Sequence, residues 1–138
     1  MSGDVLNIEF WINVFYIEAI DFPTGITESY QKLWEITGFK FDRRFFGISY
    51  MWEDSKIRYL ASAEELTEWE WEILWADWTF YIKPWNYRYI DLADYRNDIA
   101  LIKKTFDTLL KEPDIDSNWY CLEMFLNEND LRCLVLLK

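Results

Sequence analysis

Two amphipathic segments, each preceded by one strand-like run and followed by two, restrict what this chain can become more than any single residue does. Over residues 27–36 the inward positions fall at Ile26, Tyr30, Leu33, Trp34 and Thr37, the i, i+4, i+7, i+8 spacing of one helix face. Thr27 is the expected N-cap and Gly38 the expected stop. Over residues 99–110, Ile99, Ile102, Phe106, Leu109 and Leu110 form a second such face. Asp98 and Lys111 complement the dipole at its two ends, and Pro113 ends the helix.

The runs around these helices alternate with period two, as strands do. Residues 8–20 precede the first helix; residues 44–52 and 57–64 follow it, joined by a turn at 53–56. Residues 79–92 precede the second helix, with Pro84 marking an edge or bulge. Residues 118–126 and 131–137 follow it, joined by a turn at 127–130. Strand-helix-strand-strand, twice, predicts an α+β fold of two pseudo-symmetric βαββ units. Their antiparallel sheet and two helices would enclose a pocket, with the sheet faces away from the helices meeting around it. One domain is expected over residues 1–138, with repeats at about 8–66 and 76–138.

Residues 66–78 fit this plan least. Trp69, Trp71, Ile73 and Trp75 alternate with acids, which suits an edge strand, an irregular flap or a short helix. So many Trp side chains should lie against the core or a pocket rim. The segment also reads as a surface for a protein partner or a second copy.

Charge and composition narrow the function. With 14 Lys and Arg against 25 Asp and Glu, the net charge of −11 repels nucleic-acid phosphates and favours a cationic partner. His is absent, so a zinc or iron centre is not expected, and no Gly-rich phosphate loop or Cys-His pair calls for a cofactor. Cys121 and Cys133 read as reduced, buried thiols: a hairpin centred on Glu128-Asn129 would set Cys133 opposite Met124. No stretch reaches ~18 apolar residues, so no membrane span is expected. Met1-Ser2-Gly3-Asp4 lacks a basic leader pattern, which points to the cytoplasm.

One acid stands out. Glu123 sits inside Trp119-Tyr120-Cys121-Leu122-Glu123-Met124-Phe125, where an ionised carboxylate costs several kcal/mol to bury unless compensated. Alternation places Trp119, Cys121, Glu123 and Phe125 on one face. Aromatic residues make up 20% of the chain, more than packing a domain of this size requires. Tyr50, Tyr59, Trp85, Tyr87 and Tyr89 are candidates to face the acid, and such rings beside a carboxylate hold an organic cation. The same residues also read as ordinary core, with Glu123 facing water from an edge strand.

Several short patterns, in order, resemble the GyrI-like or AraC-type effector-binding domains, including stand-alone versions encoded in integron cassettes. They are Leu33-Trp34 at the helix end, Phe46-Gly47-Ile48-Ser49-Tyr50, and Tyr59-Leu60-Ala61-Ser62-Ala63-Glu64. Pro84-Trp85-Asn86-Tyr87, the helix before Pro113, and Leu122-Glu123-Met124-Phe125 follow. Ser62 stands where that family has Gly, the Pro-to-Tyr segment is one residue short with Asn86 for Gly, and the Trp-rich segment departs from the usual linker. The resemblance implies two βαββ units around an aromatic pocket that takes lipophilic, often cationic, compounds. It makes Glu123 the pocket acid and Tyr59 a pocket wall, with Tyr50, Trp85, Tyr87 and Trp119 as further ligand-binding residues. It also implies an alternative: hydrolysis of electrophilic cyclopropane-type compounds, with Glu123 and Tyr59 catalytic.

Overall fold

The computed structural model describes residues 3–51 and 56–138. The chain runs β1 (Asp4–Asn7), β2 (Ile12–Glu18), α1 (Ile26–Ile36), β3 (Phe45–Met51), β4 (Ile57–Glu64), α2 (Glu70–Ile73), β5 (Trp78–Ile82) and β6 (Asn86–Leu92). A single 3-10 turn (Tyr95–Asn97), α3 (Ala100–Leu110), β7 (Cys121–Phe125) and β8 (Leu131–Leu136) complete it. The turn expected at 53–56 falls largely outside the described residues.

Among the described residues eight strands join one antiparallel sheet in the order β1-β6-β8-β7-β3-β4-β2-β5. The fold is α+β, and the order is symmetric about the β7–β3 seam. β2-α1-β3-β4 and β6-α3-β7-β8 are the two βαββ units, and each outer strand crosses to the other unit's edge. That crossing corrects one sequence expectation and adds to another. Residues 8–20 hold one strand, β2, between β4 and β5, but a further strand, β1, precedes it and pairs with β6. Residues 79–92 do not form one strand: they supply β5 and β6 at opposite wings, with Pro84 in the crossing between them.

The helices match by position. Ser29 and Leu33 of α1 are buried as Thr105 and Leu109 of α3 are. Each small hydroxyl donates back to its own helix, Ser29 Oγ to Ile26 O and Thr105 Oγ1 to Leu101 O, both at 2.7 Å. Such residues let a helix lie close on the sheet without leaving an orphaned polar group. α1 begins two residues earlier than the cap pattern suggests: Gly25 holds the N-cap position and Thr27 lies inside the helix. Gly38, at φ +79°, is the stop, with Phe39 N–H donating to Trp34 O.

The sheet face away from the helices is packed solid. Because the sheet curls, Val14 and Ile82 from one wing meet Tyr87, Leu134 and Leu136 from the other in one buried cluster. The expectation that these faces enclose a cavity is therefore corrected. The open space lies on the helix side, where α1 and α3 stand apart over the seam.

Two smaller corrections follow from local geometry. The β7–β8 turn has an odd number of residues, with Asn127 Oδ1 accepting from the N–H groups of Asn129 and Asp130. Cys133 therefore faces Glu123 rather than Met124, and both cysteines are free. Of Trp69, Trp71 and Trp75 in the Trp-rich segment, only Trp71 packs inward, beside Leu74 and Ala76 and with its ring centroid 4.5 Å from that of Trp78. Trp69 and Trp75 adopt left-handed backbone and leave 63% and 85% of their surface exposed, so the segment is a short helical turn between two kinks.

Candidate functional site

Strand alternation aims Glu123 at the helix side of the seam, directly across from Gly47 of β3. Gly47 is needed there for space. A methyl group on its Cα would collide with the hydroxyls of Tyr59 and Tyr30 and with Glu123 Oε1. Into the room it leaves, Tyr59 of β4 donates its hydroxyl to Glu123 Oε1 at 2.6 Å. Tyr30 of α1 brings its hydroxyl to 2.7 Å from that of Tyr59 and 3.2 Å from Phe46 O. One acid, two phenols and a main-chain carbonyl thus form a continuous chain.

This chain forms the floor of a cleft of about 840 Å³ between the two helices. Phe22, Trp34 and Phe41 wall one side, Tyr95 and Phe106 the other, and Phe45 and Phe125 rise from the seam. The Tyr30 ring meets Phe125 edge-on at 5.4 Å and Tyr59 at 6.0 Å. Such contacts hold the rings in fixed orientations.

Electrostatically the floor is unusual. Glu123 retains only 9% of its surface accessible, and no Lys or Arg among the described residues pairs with it. Burial holds its carboxyl above the ordinary range, offset in part by the bond from Tyr59. Burial first, then the nearby Glu123, push the Tyr30 and Tyr59 phenols well above theirs. The Cys121 thiol, half-buried one alternate position away, is pushed up to about 11 by desolvation and stays protonated at neutral pH. The cations nearest the ligand space sit at its mouth. Lys103 pairs with Asp107 at 3.0 Å, and the Arg96 guanidinium lies 5.8 Å from the Tyr95 ring centroid.

Of the residues expected in the site, the structure brings Glu123 and Tyr59 together and places the other four elsewhere. Tyr50 lies on the opposite sheet face beside Arg58, because Ser49 and not Tyr50 pairs with Tyr59. Tyr87 is fully buried in the far-side cluster, its hydroxyl donating to Lys83 O at 2.6 Å and lying 2.7 Å from that of Tyr120. Trp85 and Trp119 precede β6 and β7, so strand alternation does not govern them. They flank the Lys83 ammonium instead, at 4.1 and 4.2 Å. Tyr30, Phe106 and Tyr95 were missed as site residues. The first two were visible as inward helix positions, but nothing in sequence distinguished a cleft wall from core.

Among the described residues no group of three or more His, Cys, Asp and Glu is placed to hold a metal ion. No helix of the described residues is long and apolar enough to cross a membrane.

No protein-family model and no curated protein matches the sequence. Solved structures do share the fold. SAV2435 bound to tetraphenylphosphonium aligns with a TM-score of 0.72 at 8% identity, over 100% of this chain and 94% of that one. An integron cassette protein from the mobile metagenome of Vibrio cholerae aligns at 0.69 and 9% identity, over 98% and 95%. A hydrolase from Listeria innocua aligns at 0.60 and 9% identity, over 98% and 90%. At such identities the likeness is one of fold.

Proposed function

We propose that this chain is a binder of lipophilic organic cations, acting in the sensing or sequestration of such compounds. The observation that carries the proposal is a carboxylate that no Lys or Arg among the described residues pairs with, set at the floor of an open, ring-walled cleft. A buried acid in that state is stabilised by any guest that brings positive charge without needing many hydrogen bonds. Aromatic walls add cation–π attraction, about 0.5–2 kcal/mol per well-placed ring once water is excluded. The tetraphenylphosphonium held by a protein of the same fold is a compound of this class.

Tetraphenylphosphonium titrated into the purified chain, followed calorimetrically, tests the proposal. Glu123→Gln keeps the side-chain shape and an acceptor for Tyr59, so the melting temperature should hold. Affinity should fall by roughly 10- to 100-fold, the worth of one desolvated charge contact. Undiminished affinity in that variant would remove Glu123 from the role of counter-charge.

The Tyr59–Glu123 pair also supports hydrolysis of an electrophilic, cyclopropane-type substrate. Glu123 would take a proton from water, and the Tyr59 hydroxyl would donate to the departing group. Mass spectrometry after prolonged incubation separates the two readings. A binder returns its guest unchanged, and a hydrolase returns the guest plus water.

A further inference from the structure

The three side chains on the cleft floor can be counted for protons. Both phenols are neutral, so the Tyr30 and Tyr59 hydroxyls contribute one proton each. Three links need filling: Glu123 to Tyr59, Tyr59 to Tyr30, and Tyr30 to Phe46 O. With Glu123 ionised, two protons serve three links. Tyr59 donates to the carboxylate, and Tyr30 must choose between the Tyr59 oxygen and Phe46 O. With Glu123 protonated, the count closes: carboxyl to Tyr59, Tyr59 to Tyr30, Tyr30 to Phe46 O. A buried network with every link made is favoured over one with a gap.

We infer that the empty cleft holds a proton on Glu123, that an organic cation binds in exchange for it, and that Tyr30 is the positioning residue that sets this exchange. The inference rests on the cation-binding reading above. The charged and titratable groups around the acid leave this chain in control. Tyr59 faces it from β4, Tyr30 from α1, Cys121 from its own strand and Cys133 from β8. Burial raises both thiols, so they add no charge. Gly47 on β3 brings none. Tyr95, Arg96, Lys103 and Glu128 lie at the mouth or wall of the cleft.

The sign of the linkage follows. The folded chain holds the Glu123 proton more tightly than the unfolded chain, so stability falls as pH rises from the ordinary carboxyl range through the raised value. Affinity for a non-titrating cation moves the other way. It climbs with pH up to that value, about tenfold per unit, and then levels off. Tyr30→Phe keeps the ring against Phe125 but removes two links from the protonated network and only one from the ionised network. The midpoint should therefore move down by on the order of half a unit to one unit, roughly a 3- to 10-fold change in affinity below the midpoint. Tyr59→Phe costs the protonated network two neutral links but strips the buried anion of the charge-assisted bond from Tyr59, the larger loss, and should move the midpoint up.

The test is tetraphenylphosphonium titration between about pH 5 and pH 9 in two buffers of different ionisation heat, which counts protons released. Carbon-13 NMR of the Glu123 carboxyl in the free protein gives the midpoint independently. Expected are proton release that fades above the midpoint, a downward shift in Tyr30→Phe, an upward shift in Tyr59→Phe, and a flat profile in Glu123→Gln. Binding without proton release at any pH overturns the exchange. A uniform loss of affinity in Tyr30→Phe, with the carboxyl midpoint unmoved, overturns the role of Tyr30. No tetraphenylphosphonium binding, with the NMR shifts as expected, overturns the cation-binding reading and the exchange while leaving the proton network intact.

Discussion

Across the seam between β3 and β7, the half containing α1 presents Gly47 where the half containing α3 presents Glu123. The same contrast runs up the walls. On helices matched through Ser29 with Thr105 and Leu33 with Leu109, Tyr30 corresponds to Phe106 and Thr27 to Lys103, and all four line the cleft. One half brings the acid and an apolar ring; the other brings the empty space and the phenols that hold the acid. Identical halves would place two acids, or two gaps, on the axis. Two acids that close would share a proton or repel, and two gaps would carry no charge. The difference teaches that duplication supplies the cleft, whereas divergence of the halves supplies the site.

That contrast can be broken most forcefully at Gly47. Gly47→Ala removes the gap and should destabilise the fold by about 1–3 kcal/mol through overpacking, with tetraphenylphosphonium binding lost. Thermal melting and calorimetry read the two effects, and a variant that melts and binds normally would mean the floor has slack. Glu123→Gln comes next, for binding alone. Phe106→Ala strips the ring from the half opposite Tyr30, and a 3- to 10-fold weaker affinity, about 0.7–1.4 kcal/mol, is expected from the lost stacking. An equal loss for a neutral guest of the same shape would assign the effect to area rather than cation–π attraction. The smallest effect belongs to the mouth. Lys103→Gln removes an exposed like charge and should strengthen cation binding by no more than about threefold, an effect that vanishes at high salt.

Much of this was legible in the residues. The two helix faces at 26–37 and 99–110, the order of elements along the chain, and the sharing of one strand face by Cys121, Glu123 and Phe125 follow from periodicity, which a chain displays locally, whereas the side to which that face turns does not. The pairing of Tyr59 with Ser49 was not implicit: a four-residue turn at 53–56 would set Tyr50 opposite Tyr59, and the observed register is shifted from that by one residue. Trp85, Tyr87 and Trp119 illustrate what periodicity does not carry. Two lie just outside a strand, and Tyr87 alternates correctly but faces the solid side of the sheet.

By itself, the sequence determined the α+β class, the doubled strand-helix-strand-strand plan and the presence of one acid among rings, because each rests on spacing along the backbone. Only the tertiary structure decided which strands cross to the opposite wing, which sheet face stays open, and that Tyr30 completes the chain from Glu123 to Phe46 O. Those depend on contacts between residues far apart in sequence. A crossing of the outer strands leaves every local pattern unchanged, yet it curls the sheet, fills one face and leaves the space between the helices to a guest.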